Sequence, residues 1–336
     1  MARQELGPAG LRVAQAVRKV LREVVADGLP AGRSATPRPV KRIVVGVSGG
    51  ADSLALVSGA AWCSRRVEEL AHVPVSAIVV DHGLQEGSAA VAARTAAQVA
   101  ALGVEAHVVQ VEVVDRGDGP EAGARVARYR ALLSDRDAIV LVGHTLDDQA
   151  ETVLLGLARG SGTRSLAGMP ERQGRLLRPL LGVRRSETQA ACQEVGLEWW
   201  SDPHNADAAY SRSRVREALT TLSDALGPGL AEALARTAEL ARADADLLDV
   251  LTATLLVEAS ESDRAHGALS VRPLAEAHRA LRDRALLTWL RREGVEDVSA
   301  THVRAVAELV TDWHGQARVD VPGGRVIRIA DRLQVE

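Results

Sequence analysis

The chain has 336 residues, 46% of them apolar, and a net charge of −3. That length allows two domains with cores of their own, and that charge excludes a uniformly basic nucleic-acid coat, though not a local basic face. Phe is absent and Lys occurs only as Lys19 and Lys41, so the cores fall to Leu, Val and Ala and any phosphate contacts to Arg guanidinium groups.

Cys63 and Cys192 lie far apart in no Cys-x-x-Cys, which gives no disulfide framework, zinc site or redox pair. Cys63 is expected to be buried and inert on the first helix of the α/β region. No run of about 18 apolar residues suggests a membrane span. Glu5, Glu23 and Asp27 speak against a signal peptide. The expectation is a soluble, cytoplasmic protein with no membrane partner.

Residues 1–40 read as an accessory helix and linker. Leu11, Val17, Val20, Leu21, Val24 and Val25 make one apolar face, and the Pro30–Pro39 stretch breaks it. From residue 41, strand-like runs at 43–47, 75–81, 105–114 and 138–143 alternate with helix-like stretches at 53–64, 87–102, 121–136 and 147–159. That alternation predicts an α/β fold with a doubly wound parallel sheet. Ligands in such sheets bind at the carboxyl ends of the strands, beside a switch in strand order.

Residues 160–179 read as a loop, 184–195 as a helix and 199–210 as irregular chain, with another helix from Arg212. Trp199 and Trp200 are read as core in preference to a base-stacking pair, since aromatics are scarce. Beyond about 222 come Ala/Leu-rich helices at roughly 229–257, 272–293 and 299–312. The tail then suggests a hairpin turning at Pro322-Gly323-Gly324. The divisions expected are therefore 1–40, an α/β domain over 41–220, and a smaller, mainly helical domain over 221–336.

The run Ile43–Val47 enters Ser48-Gly49-Gly50-Ala51-Asp52-Ser53 and then an apolar helix pattern. A strand, a glycine turn and a helix start aim several backbone N–H groups at one anion. Gly49 and Gly50 let the backbone approach a phosphate, Ser48 and Ser53 add hydroxyl donors, and Asp52 supplies a carboxylate. The lysine of the common nucleotide loop is missing.

A second group is His144-Thr145-Leu146-Asp147-Asp148-Gln149-Ala150-Glu151-Thr152. On a helix, Asp148 shares a face with Glu151 and Thr152. Two acids there can hold Mg²⁺ or an amine, or can simply favour the helix start. His144 has two readings, lining a nucleotide pocket or bonding backbone at a strand end.

The motifs come in an order that resembles the tRNA(Ile)-lysidine synthase family, of the N-type ATP pyrophosphatases, over most of residues 41–220. They are Ser48–Ser53, Val80-Asp81-His82-Gly83-Leu84, Ala124-Arg125 with Arg128-Tyr129, and Gly143-His144 with Asp147–Thr152. Arg159-Gly160-Ser161-Gly162, Leu166–Met169, Arg178-Pro179-Leu180-Leu181 and Asp202-Pro203-His204-Asn205 follow. The tail hairpin resembles the end of the family's C-terminal domain.

The resemblance implies a ligase that uses ATP to adenylate the C2 oxygen of the wobble cytidine of an isoleucine tRNA with a CAU anticodon. The ε-amine of free lysine then displaces AMP. It implies ATP contacts at Ser48, Gly49, Gly50, Ala51, Asp52, Ser53, Asp81, His82 and His144. Catalytic roles are implied for Asp52, Asp148, Glu151 and Arg212, with the lysine ammonium gripped by Asp52 and Glu151 and Mg²⁺ held by Asp52 and Asp148. Arg164, Arg172, Arg175, Arg178, Arg184, Arg185, Arg214 and Arg216 are the candidates for tRNA phosphates, with solvation as their bland alternative. Ser213 stands where the family usually has Asn.

A tRNA thiolase on the same loop would need cysteines near the motifs, and these are absent. A non-catalytic nucleotide- or tRNA-binding module would have no use for acids beside a polyphosphate. The helical region after 222 is expected to grip tRNA or to form a homodimer surface.

Overall fold

The computed structural model describes residues 5–28, 38–83, 87–113, 120–160, 162–201, 211–260, 267–315 and 318–336, without the side chains of 120–122 and 211–212. The chain divides into two compact units, Met1–Leu240 and Ala241–Glu336.

The first unit is built on strands β1 (Arg42–Val47), β2 (Val75–Asp81), β3 (Glu105–Gln110), β4 (Ala138–Val142), β5 (Arg172–Gln173) and β6 (Leu176–Leu177). They lie in the order β3-β2-β1-β4-β6-β5, all parallel except β5 against β6. The order turns between β1 and β4, so the loops leaving those two strands flank the crevice where such sheets bind ligands.

Alternation along β1 separates two cores, as the two-residue period of a strand requires. Ile43, Val45 and Val47 face helices α1 (Pro8–Asp27), α2 (Ala51–Arg66), α3 (Ser88–Ala101) and α7 (Arg185–Glu194). Val44, with Val140 and Val142 of β4, packs on Leu132 of α4 (Pro120–Leu132). Gly46 belongs to that second face, where a Cβ would stand 2.9 Å from Leu132.

Helix α1 shares the main core through Val13, Ala14, Val17, Val20, Leu21 and Val24. Leu11, expected on this face, is 39% exposed instead, and Val13 takes its place. Gly59 lets α1 lie close to α2, since a Cβ there would meet Val13 at 2.9 Å. The open N–H groups of Ala9 and Gly10 are taken by Glu194 at 3.0 and 2.7 Å, an anion at the positive end of the helix.

The stretch 160–179, expected as a loop, holds the short helix α6 (Thr163–Leu166) and the β5–β6 pair at the sheet edge. Helix α5 (Leu146–Ala158) closes a small apolar cluster. Its Leu146 and Ala150 pack on Leu219 of α8 (Ser211–Leu226) and on Ala231 and Leu234 of α9 (Leu230–Ser260).

The second unit packs the later part of α9 with α10 (Val271–Glu276), α11 (Arg279–Arg292) and α12 (Ala300–Thr311) around Leu256, Leu274, Leu286, Trp289 and Leu290. The stretch 272–293, expected as one helix, breaks between α10 and α11, where His278 caps the second by accepting from Ala280 N. The tail forms more than a hairpin. β7 (Leu269–Ser270), β8 (Val319–Val321), β9 (Gly324–Ile329) and β10 (Arg332–Val335) make an antiparallel sheet in the order β7-β10-β9-β8. The expected turn at Gly323 joins β8 to β9, and a second, with Ala330 at φ 52°, joins β9 to β10.

Candidate active site

The β1–α2 turn is held by its own serines. Ser53 Oγ accepts from Ser48 N at 3.1 Å and donates to Gly50 O at 2.9 Å. Gly49 has φ +84°, and a Cβ there would stand 2.7 Å from Thr95 Oγ1 on α3, so backbone freedom and space both call for glycine. Trp200 N donates to Gly49 O at 3.0 Å, and Trp199 packs against the main core.

The β4–α5 turn lies directly on this loop. A Cβ on Gly143 would come within 2.9 Å of the carbonyl carbon and oxygen of Asp52. Helix α5 starts with a reciprocal cap, in which Thr145 N and Oγ1 donate to Asp148 Oδ2 at 2.7 and 2.9 Å. That bond fixes Asp148 and leaves its Oδ1 for another partner. Thr152 bonds back to Asp148 O at 2.8 Å within the helix.

Asp52, Asp148 and Glu151 meet on one guanidinium. Arg185, the first residue of α7, places Nε 3.4 Å from Asp52 Oδ2, Nη2 2.7 Å from Asp148 Oδ1 and Nη1 3.5 Å from Glu151 Oε1. Thr188, one turn on, donates to Asp52 Oδ1. Arg216 Nε donates to Glu151 Oε1 at 2.9 Å, and the Glu151 side chain is only 5% exposed.

Burial raises the Asp52 pKa above the ordinary carboxylate value, against the Thr188 bond and Arg185 that lower it, and Asp148 adds to the rise. Burial opposes charge on Arg185, yet Asp148, Asp52, Glu151 and Asp147 together hold its pKa above the usual value. Neither Thr188 nor Arg185 stood out in the sequence as a partner of these acids. The signal, a cation and a hydroxyl one helical turn apart, becomes legible only once α7 is placed against α2.

His144 feels the charge of Asp148, and His82 and His144 both feel that of Arg128; the buried Nδ1 atoms of the two histidines have no hydrogen-bond partner among the described residues. Burial drives the His144 pKa down to about 3, helped by Arg178, Arg128 and Arg125 and opposed by Asp148. Burial and Arg128 lower His82, against Asp81. Both imidazoles are therefore neutral near pH 7. Asp81 is itself buried and accepts from Gly83 N at 3.0 Å.

Several of the arginines considered for tRNA have intramolecular partners. Arg175 donates to the carbonyls of Leu133, Asp135 and Ala138, with 3.0 Å to the first and last. Arg178, 3% exposed, donates to Pro170 O at 2.9 Å and Gln173 Oε1 at 3.2 Å. Arg184 pairs with Asp147 and Glu232 at 3.2 and 3.0 Å. Arg172 pairs with Asp27 at 3.2 Å, while Arg164 and Arg214 are exposed. The Arg212 side chain, Leu84, Ser161 and the Asp202–Asn205 motif lie outside the described residues.

Both cysteines are buried, and burial pushes each thiol up to about 12. Cys63 Sγ lies 3.3 Å from Ala14 O and Cys192 Sγ 3.3 Å from Ala51 O. Among the described residues no helix is long and apolar enough to cross a membrane.

The PP-loop domain family model matches residues 15–222, and the TilS substrate binding domain model matches 269–334. A tRNA(Ile)-lysidine synthase of Leifsonia xyli is 51% identical over 86% of this chain and 88% of its own length. One from Salinispora tropica is 47% identical over 95% of each chain, and one from Mycobacterium bovis is 50% identical over 82% and 83%. Among solved structures, the U34-tRNA thiolase NcsA from Methanococcus maripaludis superposes with a TM-score of 0.53 at 20% identity, over 69% of this chain and 78% of that one, a likeness of fold. Matched by two family models and about half identical to these relatives along most of their length, the chain belongs to the tRNA(Ile)-lysidine synthase family.

Proposed function

We propose that the chain catalyses ATP-dependent ligation of free L-lysine to C2 of the wobble cytidine in a tRNA(Ile) with a CAU anticodon. The observation that carries this reading is the convergence of Asp52, Asp148 and Glu151 beside an anion-cradling glycine turn, in a chain of this family.

In the first step the cytosine C2 oxygen attacks the α-phosphate of ATP and pyrophosphate leaves. The N–H groups of Gly49, Gly50, Ala51 and Ser53 and the hydroxyl of Ser48 receive the leaving charge, a role suited to prearranged donors, while the Ser53 hydroxyl braces the turn. Asp81, His82 and His144 line the nucleotide side. The unpartnered Nδ1 atoms of the two neutral histidines support this assignment, since buried polar groups call for a partner.

In the second step the lysine ε-amine loses a proton, attacks C2, and AMP departs with its oxygen. Asp52 and Glu151 hold the ammonium beforehand, and Asp148 positions the adenylation step. The Arg212 role stays with the proposal on motif position alone.

For Mg²⁺ the carboxylate oxygens of Asp52 and Asp148 that face Arg185 are hard donors of the right kind. No group of three or more such ligands occurs among the described residues. One or two carboxylates completed by substrate phosphates is the arrangement Mg²⁺ commonly takes. Bound there, the ion would neutralise charge on the polyphosphate.

The tRNA contacts are best carried by Arg164 and Arg214, which are exposed. Arg172, Arg175, Arg178, Arg184, Arg185 and Arg216 are less exposed and hold partners within the protein. The unit from Ala241 onward is proposed to hold the tRNA body. Self-association would use α9, where Leu240, Leu247, Val250 and Val257 are exposed at near-heptad spacing. The reaction belongs in the cytoplasm, where its tRNA is.

Incubation with ATP, Mg²⁺, isotopically labelled lysine and unmodified tRNA(Ile) transcript, followed by nucleoside mass spectrometry, tests the assignment. A labelled lysine adduct on cytidine 34 is expected. Incorporation elsewhere, or none, overturns it.

A further inference from the structure

Arg185 sits where the proposed reaction needs a different cation. Asp52 and Glu151, the acids proposed to hold the lysine ammonium, are already closed around its guanidinium together with Asp148. Arg185 and Arg216 already share Glu151 Oε1, and a third cation cannot join them in a half-buried site without strong repulsion, so lysine enters only if Arg185 leaves.

The hydrogen bonds show which partner is exchangeable. Asp52 keeps Thr188 on Oδ1 while Arg185 holds only Oδ2. Asp148 keeps Thr145 N and Oγ1 on Oδ2 while Arg185 holds only Oδ1. Glu151 keeps Arg216 at 2.9 Å, shorter than the 3.5 Å to Arg185. Each acid is therefore oriented by a second group that stays when Arg185 departs. Asp52 Oδ2 and Asp148 Oδ1 are vacated and Glu151 Oε1 is left to Arg216 alone, so oxygens face the site as acceptors for the N–H donors of an alkylammonium.

The arginine is anchored through its backbone. Arg185 N donates to Asp147 Oδ2 at 2.7 Å, which leaves the long side chain as the part that can turn. A triphosphate on the Ser48–Ser53 loop would bring several negative charges next to Asp52. It offers the guanidinium a bidentate partner of the kind Arg favours.

We propose that Arg185 is a resident counter-ion that fills the lysine ammonium site in the nucleotide-free enzyme and is drawn off by bound ATP, so that lysine binds only after the nucleotide. The inference rests on the reading of Asp52 and Glu151 as the lysine site. It makes Arg185 a positioning residue that couples the two substrates, in place of a tRNA contact.

Calorimetric titration of lysine into the full chain at constant Mg²⁺, with and without α,β-methylene-ATP, tests it for wild type, Arg185→Gln and Arg185→Lys. In wild type the analogue should tighten lysine binding by about tenfold or more, within the usual span of such couplings. In Arg185→Gln that ratio should collapse toward one through gained affinity without nucleotide, while Arg185→Lys keeps part of it. A ratio unchanged in Arg185→Gln, or loss of lysine binding under both conditions, overturns the gate and makes Arg185 a structural tie. Should Arg185→Gln fail to fold, wild type alone decides, because saturating lysine must tighten the analogue by the same factor; no mutual effect overturns the proposal. Absence of any lysine binding to nucleotide-bound wild type instead refutes the site reading beneath it.

Discussion

The contact between the β4–α5 turn and the start of α2 sets the distance between Asp148 and the glycine loop, and Gly143 is what permits it. Gly143→Ala would place a methyl 2.9 Å from the carbonyl carbon and oxygen of Asp52 and 3.1 Å from Ser53 N. These are backbone atoms at a helix start, with no side chain to swing away, so relief requires the two turns to part by roughly half an ångström. Overpacking of this kind costs about 1–3 kcal/mol. At about 2–4 °C per kcal/mol for a unit of this size, the melting temperature should fall by roughly 2–12 °C. Misplacement of about 1 Å costs near 100-fold in rate, so a shift about half as large should cost at least about tenfold. tRNA-dependent pyrophosphate release and thermal melts read the two effects. Gly182→Ala, where an added Cβ meets nothing within 4 Å, is the control. Wild-type activity and melting temperature in Gly143→Ala would refute the claim that this contact fixes the site.

Three further outcomes follow from the same geometry. Glu151→Gln should lower lysine-dependent AMP release by about 100-fold while tRNA-dependent pyrophosphate release continues; equal loss of both would place Glu151 in adenylation. His144 is held at about 3 against an ordinary 6.5, so below pH 6.5 the unfolded chain binds a proton that the native one refuses. Stability should therefore fall as pH drops from 6.5 toward 3, and His144→Gln should flatten that slope in melts taken across the range. Both thiols stand at about 12, so an aromatic disulfide reagent at pH 8 should leave them unmodified until denaturant is added; fast reaction of either in native protein would contradict its burial.

The first half of the site is legible in the residues because its signals are local. Strand period, two glycines and a helix start fall within Ile43–Leu54, and the Thr145–Asp148 cap and the Asp148–Glu151 face fall within one helix. The other half is long-range. Arg185 and Thr188 reach Asp52 across 133 and 136 residues, and no periodicity links them. The bonds from Arg175 to the carbonyls of Leu133 and Ala138, 42 and 37 residues away, are equally out of reach of the sequence. Two-residue strands such as β5, β6 and β7 are too short to carry an alternation. Leu11 was counted on the wrong face of α1 because a helix start offers too few turns to settle its phase.

The most direct measurement follows pyrophosphate and AMP separately, from ATP and Mg²⁺ with unmodified CAU-anticodon tRNA(Ile), with and without lysine, beside Asp148→Ala. The account predicts pyrophosphate release that needs the tRNA and Asp148, and AMP release that needs lysine in addition. AMP release indifferent to lysine, or product formation without the tRNA, would contradict it.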